Sequence, residues 1–416
     1  MNAQNNTDHI SNEDSSLDLN LKKLHICIAE DNTSELIQFI KDLHNADIAE
    51  IIQNLDDDSR LEFIKRIKEN FDPEILTYLN ESIREEIVEL LDIKQLATNA
   101  SELDVDDAVD VIEDLEESDQ EAFLDNLPES ERKLIEEGLN YPEDSAGRLM
   151  QRKFVSVSDE WNVGEAIDFL RTNTKELPED FYEIYLTSND NKISGIVPLG
   201  RLMSSNRIIK LENIKHKITR TVNVFTDQEE VAYQFNKYAM VSAPVVNEDN
   251  VIIGSVTVDD VVDVIEEERE EDILKLGGVG QADIYEAVID TTKSRFSWLL
   301  VNLLTAIIAS IVIGFFQASI EKVVALAVLM PIVASMGGNA GTQTLTVSVR
   351  ALAMKELTAA NAFKIVTKET FVGGINGFIF ALIIGLLSAY WFEDTLLGFV
   401  IALAMILNLI IAGLAG

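Results

Sequence analysis

The chain has 416 residues, with 33 Lys and Arg against 72 Asp and Glu, and a formal net charge of −39 at pH 7. That length exceeds one domain, and so acidic a balance speaks against nucleic acid as a partner, because phosphate binding needs clustered cations. The single cysteine, Cys27, excludes an internal disulfide and a thiolate zinc cage.

Residues 1–16 are polar and acidic, with neither a basic n-region nor an apolar stretch, and read as a disordered cytosolic start rather than a secretory signal. Over 17–142 apolar residues recur at spacings of three and four, as in Leu36, Phe39, Ile40 and Leu43, or Ile83, Ile87, Leu90 and Leu91. Polar breaks at Asp56-Asp57-Asp58 and Asp72-Pro73 separate these runs, which predicts stacked helical hairpins in an all-α superhelical domain. Near its end lies an acid cluster: Asp104, Asp106, Asp107, Asp110, Glu113 and Asp114.

After Tyr141 the period changes and the pattern repeats. Over 143–207 a strand at 155–157, a helix at 163–171 and strands at 183–187 and 193–197 flank the turn Asn189-Asp190-Asn191. Over 208–268 the same order returns at 222–225, 228–238, 243–246 and 251–257, around Glu248-Asp249-Asn250, with Gly195 and Gly254 at matching places. This α/β duplication resembles a CBS-domain pair, which implies sensing of adenine nucleotides or ions. The run from Gly254 to Asp260 matches the Gly-x-x-Thr-x-x-Asp pattern with which such modules hold a ribose, so Thr257 and Asp260 are the candidate nucleotide contacts, with ATP as a modulator. The first copy has Pro198 and Arg201 there and lacks both groups; a degenerate, structural repeat is the alternative.

A connecting helix, 269–294, follows. Between Asp259 and Asp272 stand nine acids and one base, Arg269. Like charges four apart, such as Glu266 with Glu270 or Glu267 with Glu271, each destabilise a helix by about 0.2–0.5 kcal/mol, so the run calls for counter-charge. It is either a solvated acidic face or a site for divalent cations, since magnesium and calcium take carboxylate oxygens. The cluster at 104–114 offers an opposing acidic surface. Two such surfaces repel unless cations lie between them, which makes a switch.

From Arg295 onward there are six basic and five acidic residues, so the whole acidic excess lies upstream. Here four stretches, 296–316, 323–349, 371–392 and 395–416, carry no charge, and each reaches the ~20 residues that cross a bilayer as a helix. Lys293 and Arg295 precede the first, four basic residues separate the second from the third, and only Glu393 and Asp394 separate the third from the fourth. The positive-inside rule places the N-terminal domains and the basic loop in the cytoplasm of a multi-pass cell-membrane protein. Within the second stretch Gly337, Gly338 and Gly341 are expected to break the helix, and Pro331, Asn339, Thr342 and Gln343 join them as pore-lining candidates offering oxygens to a hydrated cation. Close helix packing through small residues is the alternative.

Taken together, these segments resemble the MgtE magnesium channel family. The resemblance rests on the acidic helical domain ending Tyr141-Pro142-Glu143-Asp144-Ser145-Ala146-Gly147-Arg148-Leu149-Met150, the CBS pair, and the acidic helix ending Asp272-Ile273-Leu274-Lys275-Leu276-Gly277. It extends to the run from Pro331 to Gln343 with Arg350-Ala351-Leu352-Ala353 after it. It implies a homodimer in the lipid bilayer that imports magnesium and is shut by cytosolic magnesium gathered between helical domain, CBS pair and a "plug" helix. By motif position the regulatory ligands would be Glu50, Asp106 and Asp110, then Glu229, Asp260 and Asp263, and Glu268, Glu271 and Asp272 on the plug. At Ala239 the family can carry an acid and this chain does not. Family members continue into a fifth span that sets an aspartate on the pore axis; that aspartate is not in this sequence, and the expectation is that the 416 residues are a fragment. The alternative function is a membrane-anchored nucleotide sensor, or a structural dimer, without transport. An enzyme is least supported: the four histidines have no His-Glu-x-x-His spacing, and no Gly-x-Ser-x-Gly elbow or phosphate-cradling loop appears.

Overall fold

The computed structural model describes residues 17–416 except 29, 31, 101, 102, 114, 116, 175, 176, 179, 217–219 and 280–287. They form two compact units that meet in sequence at Glu270 and Glu271.

The first unit opens with short helices: α1 (17–28), α2 (Thr33–Lys41), α3 (Asn45–Gln53), α4 (Asp57–Ile67), α5 (Glu81–Leu90), α6 (Ile93–Ala100), α7 (Val105–Glu113), α8 (Glu117–Asp125) and α9 (Glu129–Leu139). The predicted breaks are helix caps. Asp56 accepts the Ser59 amide at 3.1 Å and starts α4, while Asp72 accepts the Glu74 amide beside Pro73 and starts a 3-10 turn. One core runs through the domain, from Leu24 through Phe63 and Ile112 to Ile135. Buried Arg60 serves the end of α3: it donates to the carbonyls of Ile52 at 3.2 Å and Leu55 at 2.9 Å and pairs with Glu86 at 2.6 Å. Carbonyls that a helix end leaves open are thereby satisfied.

The repeat comes next, with β1 (Ser156–Ser158), α10 (Val163–Thr172), β2 (Glu183–Thr187), β3 (Ile193–Pro198) and α11 (Leu199–Ser204). The second copy has β4 (Val222–Asn223), α12 (Gln228–Tyr238), β5 (Ser242–Val246), β6 (Ile252–Thr257) and α13 (Val258–Gly277). Each copy is a three-stranded sheet, its first pair parallel and its second antiparallel. Leu186 opposes Gly195 and Val245 opposes Gly254, each hairpin carries an irregularity one residue later, and each turn ends on a left-handed asparagine, Asn191 (φ +57°) and Asn250 (φ +61°). The two copies share a polar seam: buried Tyr185 of β2 bonds Ser242 at 3.1 Å and Ser255 at 2.5 Å.

The expected boundary at 143 hides a crossover. Residues 145–151 lie on the second copy, not the first: Ala146 N donates to Thr226 O at 2.7 Å, Gly147 N to Val224 O at 2.9 Å, and Gln151 and Ser255 exchange backbone bonds. Ala146 and Met150 belong to the second copy's core. The segment needs room, which Gly254 provides, since a Cβ there would sit 2.6 Å from the Met150 sulfur.

Helix α13 is longer than expected for a domain's last helix. It leaves β6 directly, so the connecting helix begins at Val258 rather than 269, and it is stopped by Gly278 at φ +64°, whose amide and that of Val279 return to the carbonyls of Lys275 and Leu274.

In the second unit α14 (Val288–Phe315), α15 (Gln317–Lys322), α16 (Val324–Ala353), α17 (Ala362–Phe392) and α18 (Thr395–Ala415) follow. All but α15 are long and apolar enough to cross a membrane, matching the four predicted stretches with added polar turns. α17 and α18 touch along small residues. A Cβ on Gly373 would collide with Leu409 O, and one on Gly398 would lie 2.5 Å from Gly385 O. Gly373, Gly377, Ala381 and Gly385 recur every four residues on one face, so the backbones approach closely where no hydrophobic effect drives association.

Candidate functional site

Two acidic elements of the first unit face each other. Asp106 and Asp107 occupy the first turn of α7, on a helix whose other face buries Val109 and Ile112 in the helical core. Asp260 and Asp263 occupy the start of α13, which buries Val261 and Val264 in the second CBS copy. Alternation of acid and apolar residue on each helix therefore fixes one face by packing and presents the other.

The electrostatics record the approach. Asp106 is 9% exposed and its Oδ1 has no hydrogen-bond partner among the described residues. Burial first, and then the charges of Asp260, Asp107 and Asp104, push its carboxyl well above the usual range. Asp107 is pushed to about 7 by burial and by Asp260, Asp110 and Asp104. Asp260 rises to about 6 through burial with Asp259 and Asp104, against the pull of its bond from Thr257. Asp263 is raised by burial, Glu266 and Asp259. Tyr78 is pushed up by burial and Glu74 and feels Asp107 and Asp263 as well, so α7 and α13 both come near it. Buried like charges of this kind need protons or cations.

The other expected ligands are less gathered. Glu50 is exposed on α3, and Glu229 is exposed in the first turn of α12. Glu268 is half-buried and accepts Gln228 Nε2 at 2.9 Å, which brings α13 to the start of α12. Asp110 is exposed on α7. Glu271 and Asp272 belong to the second unit, where Glu271 pairs with Lys275. Asp114 lies outside the described residues. Ala239 is the left-handed C-cap of α12. Among the described residues no three acidic, histidine or cysteine groups converge on one direct coordination point. The arrangement suits an ion that keeps some of its water shell, as magnesium does, and the orphaned Asp106 Oδ1 fits such a role.

Thr257 and Asp260 have a local task as well. Thr257 Oγ1 donates to Asp260 Oδ2 at 2.7 Å, the Thr257 amide points at the same oxygen, and Gln151 Nε2 reaches both side chains at 3.3 Å. This is the start of α13 capped across three residues. Beside it a narrow cleft is lined by Gln151, Phe154, Phe181, Tyr182, Glu183 and Thr257.

Among the membrane helices, the expected break in the second span is absent. Helix α16 runs unbroken from Val324 to Ala353 through Pro331, Gly337, Gly338 and Gly341. In a bilayer the intrahelical bonds have no water to compete with them, so glycine does not open the backbone. Gly337 instead makes space for α18: a Cβ there would meet the Asn408 side chain at 2.5 Å, and Asn408 Nδ2 donates to Val333 O at 2.6 Å. Gly341 is approached by Gly416, where a Cβ would collide with Gly341 O. Thr342 Oγ1 donates to Gly338 O at 3.1 Å. Asn408, a lone amide in the fourth span, was not among the expected residues; its polarity in an apolar run was the available signal.

Comparison with known proteins matches three families: the MgtE intracellular N domain over residues 43–144, the CBS domain over 212–267 and the divalent cation transporter domain MgtE over 330–416. The magnesium transporter MgtE of Bacillus subtilis (strain 168) is 31% identical over 285 residues, 68% of this chain and 63% of that protein. The MgtE of Thermus thermophilus is 33% identical over 289 residues, 68% of this chain and 64% of that protein. The chain thus spans under two thirds of the length of these relatives. Among solved structures, the cytosolic domain of the Mg2+ channel MgtE in complex with ATP is 27% identical, with a TM-score of 0.53 over 59% of this chain and 99% of that one. The soluble part of a magnesium transporter gives the same TM-score at 24% identity, over 61% of this chain and 99% of that one.

Proposed function

The chain belongs to the MgtE family, and we propose that it supplies the cytosolic sensor and four membrane helices of a homodimeric magnesium channel that closes when cytosolic magnesium is plentiful. One observation carries the reading: buried Asp106 and half-buried Asp107 of α7 stand against Asp260 of α13, three carboxyls raised by burial and by one another's charge. Magnesium bridging these acids lowers their repulsion and holds α13 in place. Glu268, Glu271 and Asp272 extend the acidic run along the same helix, by about 1.5 Å of rise per residue, while Glu50, Asp110, Glu229 and Asp263 complete the ligand set. When magnesium is scarce the uncompensated carboxylates push apart and the pore opens.

Conduction needs no coupled reaction. A divalent ion gains about 4.6 kcal/mol on crossing 100 mV, twice the ~2.3 kcal/mol of a single charge. Asn339, Thr342 and Gln343 supply neutral oxygens along α16, with Pro331, Gly337, Gly338 and Gly341 shaping that helix and its neighbours. ATP is proposed as a modulator in the cleft beside Thr257 and Asp260; a relative's ATP complex supports that assignment.

The test is magnesium-dependent growth and patch recording in cells lacking their own importers. It uses the 416-residue chain and the same chain joined to the C-terminal segment of one of the longer relatives. Rescue by either form supports the channel. With Asp106, Asp110 and Asp263 changed to Ala, current should persist as magnesium rises into the millimolar range. Closure unchanged from the parent would overturn the sensor, and rescue by neither form would favour the membrane-anchored nucleotide sensor.

A further inference from the structure

Helices α17 and α18 leave a groove along one side of their contact. Phe363, Phe371, Gly374 and Phe378 of α17 and Ile410 and Leu414 of α18 line it, and it holds about 640 Å³, within the roughly 300–1,000 Å³ of sites that take small molecules. Its shape follows from the packing beside it. Gly373, Gly377 and Gly385 bring the two backbones together, whereas Gly374 has no side chain to fill the floor, and a Cβ there would rest in ordinary contact 3.7 Å from Ile410. Two hydroxyls in the lining are turned back on their own helix: Thr367 Oγ1 donates to Phe363 O and Thr370 Oγ1 to Val366 O, both at 2.7 Å. The wall is therefore apolar and suits hydrocarbon.

Position and charge together select the occupant. Ile410 and Leu414 stand two residues, about 200° of helical turn, from Asn408 and Gly416, which meet Val333 and Gly341 of α16. The groove thus opens away from α16 and onto the bilayer. Lys364 and Lys368 are exposed, one turn apart. Lys364 stands seven and eleven residues before Phe371 and Ile375, and Lys368 seven and eleven before Ile375 and Ile379, all three of them groove residues. Those spacings share one helix face, so both lysines are in line with the groove. Lys368 lies 3.6 Å from its neighbour Glu369, but its side chain is 71% exposed against 12% for the glutamate, so the lysine is the group presented. From Lys368 to Ile379 the wall climbs about 16 Å at ~1.5 Å per residue, close to half of the ~30 Å hydrocarbon core. The loop charges put the lysine end in the cytoplasm, where the leaflet carries anionic lipid.

We propose that this groove binds one anionic phospholipid of the cytoplasmic leaflet, its phosphate paired with Lys364 and Lys368 and one acyl chain laid along Phe371, Gly374 and Phe378 toward the middle of the bilayer. Neither part makes a site alone. An apolar helix face does not distinguish itself from the lipid tails around it, and exposed lysines draw any anion within a Debye length. Joined at this spacing, they specify both the headgroup charge and the place of the chain. A lipid held there fixes the start of α17 at the membrane surface. The site depends on the membrane topology and not on the sensing role of the acid cluster.

The full chain in detergent would be given equal amounts of phosphatidylglycerol and phosphatidylcholine and weighed by native mass spectrometry, which counts bound lipid and chains at once. The parent should keep one phosphatidylglycerol per chain in preference to phosphatidylcholine. Lys364→Gln/Lys368→Gln should weaken that preference at least about tenfold, as the loss of two surface lysines implies, and Lys364→Arg/Lys368→Arg should keep it. Lys293→Gln/Lys355→Gln removes equal charge elsewhere on the cytoplasmic side and should leave it unchanged. Gly374→Leu should fill the groove and release lipid of either headgroup, while Gly374→Ala retains it. A parent without preference, or a preference lost equally in the Lys293 and Lys355 variant, overturns the site. Glycerol 3-phosphate in excess should leave the lipid bound; displacement by it reduces the site to two lysines and overturns the groove. A lipid-free dimer that falls to monomers with Gly374→Leu gives the groove to a second copy and overturns the proposal as well. If Gly374→Leu does not fold, the lysine variants decide alone.

Discussion

The two CBS copies share strand order, hairpin irregularity and left-handed asparagine, and differ at the place where β3 and β6 feed their helices. The first copy passes through Pro198 into α11, six residues long and without a side-chain cap. The second passes through Thr257 and Asp260 into α13, twenty residues long, capped and acidic. Duplication supplies a stable sheet-and-helix unit twice. In the second copy the closing helix carries Thr257 and Asp260 at its start, faces α7 through Asp260 and continues in sequence toward the membrane helices.

The comparison breaks first at Asp260. In the metal-free chain, Asp106→Asn/Asp260→Asn removes buried like charge, so the unfolding transition of the first unit should rise by several degrees in EDTA and gain nothing further from magnesium. Arg201→Ala in the first copy should leave both quantities unchanged; melting followed by circular dichroism checks the pair.

Glycine gives the next contrast. Gly254→Ala drives a Cβ against Met150 and the Gln151 carbonyl at 2.6–3.0 Å and should cost about 1–3 kcal/mol. Gly195→Ala meets the aliphatic stem of Lys215, Cδ at 2.6 Å and Cβ at 3.2 Å, whose outer part can turn aside at the cost of its bond to Ser194 O. Its cost in urea denaturation should be under about 1 kcal/mol.

Titration sharpens the same asymmetry. Asp107 and Asp260 have folded values of about 7 and about 6 against an ordinary 3.8. A raised value means the folded state holds the proton more tightly, so this stability is complete below about pH 4 and is lost as pH rises through 6 to 7. In EDTA the first unit should therefore weaken across that window, and saturating magnesium should flatten the slope. The last contrast is symmetrical: Asn191→Ala and Asn250→Ala each place alanine in the left-handed region and should cost about 1 kcal/mol apiece. A marked inequality would show that the two turns are not equivalent.

Much of this is legible along the chain because it is local. Periodicity marks the helical domain, the repeat and the four spans. Charge density marks α13 and the start of α7, and Asp56 and Asp72 announce helix starts through their own side chains. The Thr257-x-x-Asp260 spacing is visible too, though it serves the start of α13 as directly as it would serve a ribose. What stayed hidden depends on partners far away in sequence. Nothing in Ala146-Gly147-Arg148 says that it lies on the second copy rather than the adjacent first. Nor does Asn408 reveal that its amide reaches Val333, 75 residues away. The glycines of α16 misled because a residue that weakens a helix in water does not break one in a bilayer, where no solvent competes for the backbone.

Hydrophobic period, capping residues and net charge act within a few residues, and for that reason the kinds of domain, their order and the sign of their charge follow from the chain alone. Which acids face one another is a property of the folded molecule. So is the choice of the glycines that serve as spaces rather than hinges. Burial, desolvation and close backbone approach belong to pairs of elements and exist only after the chain has brought them together.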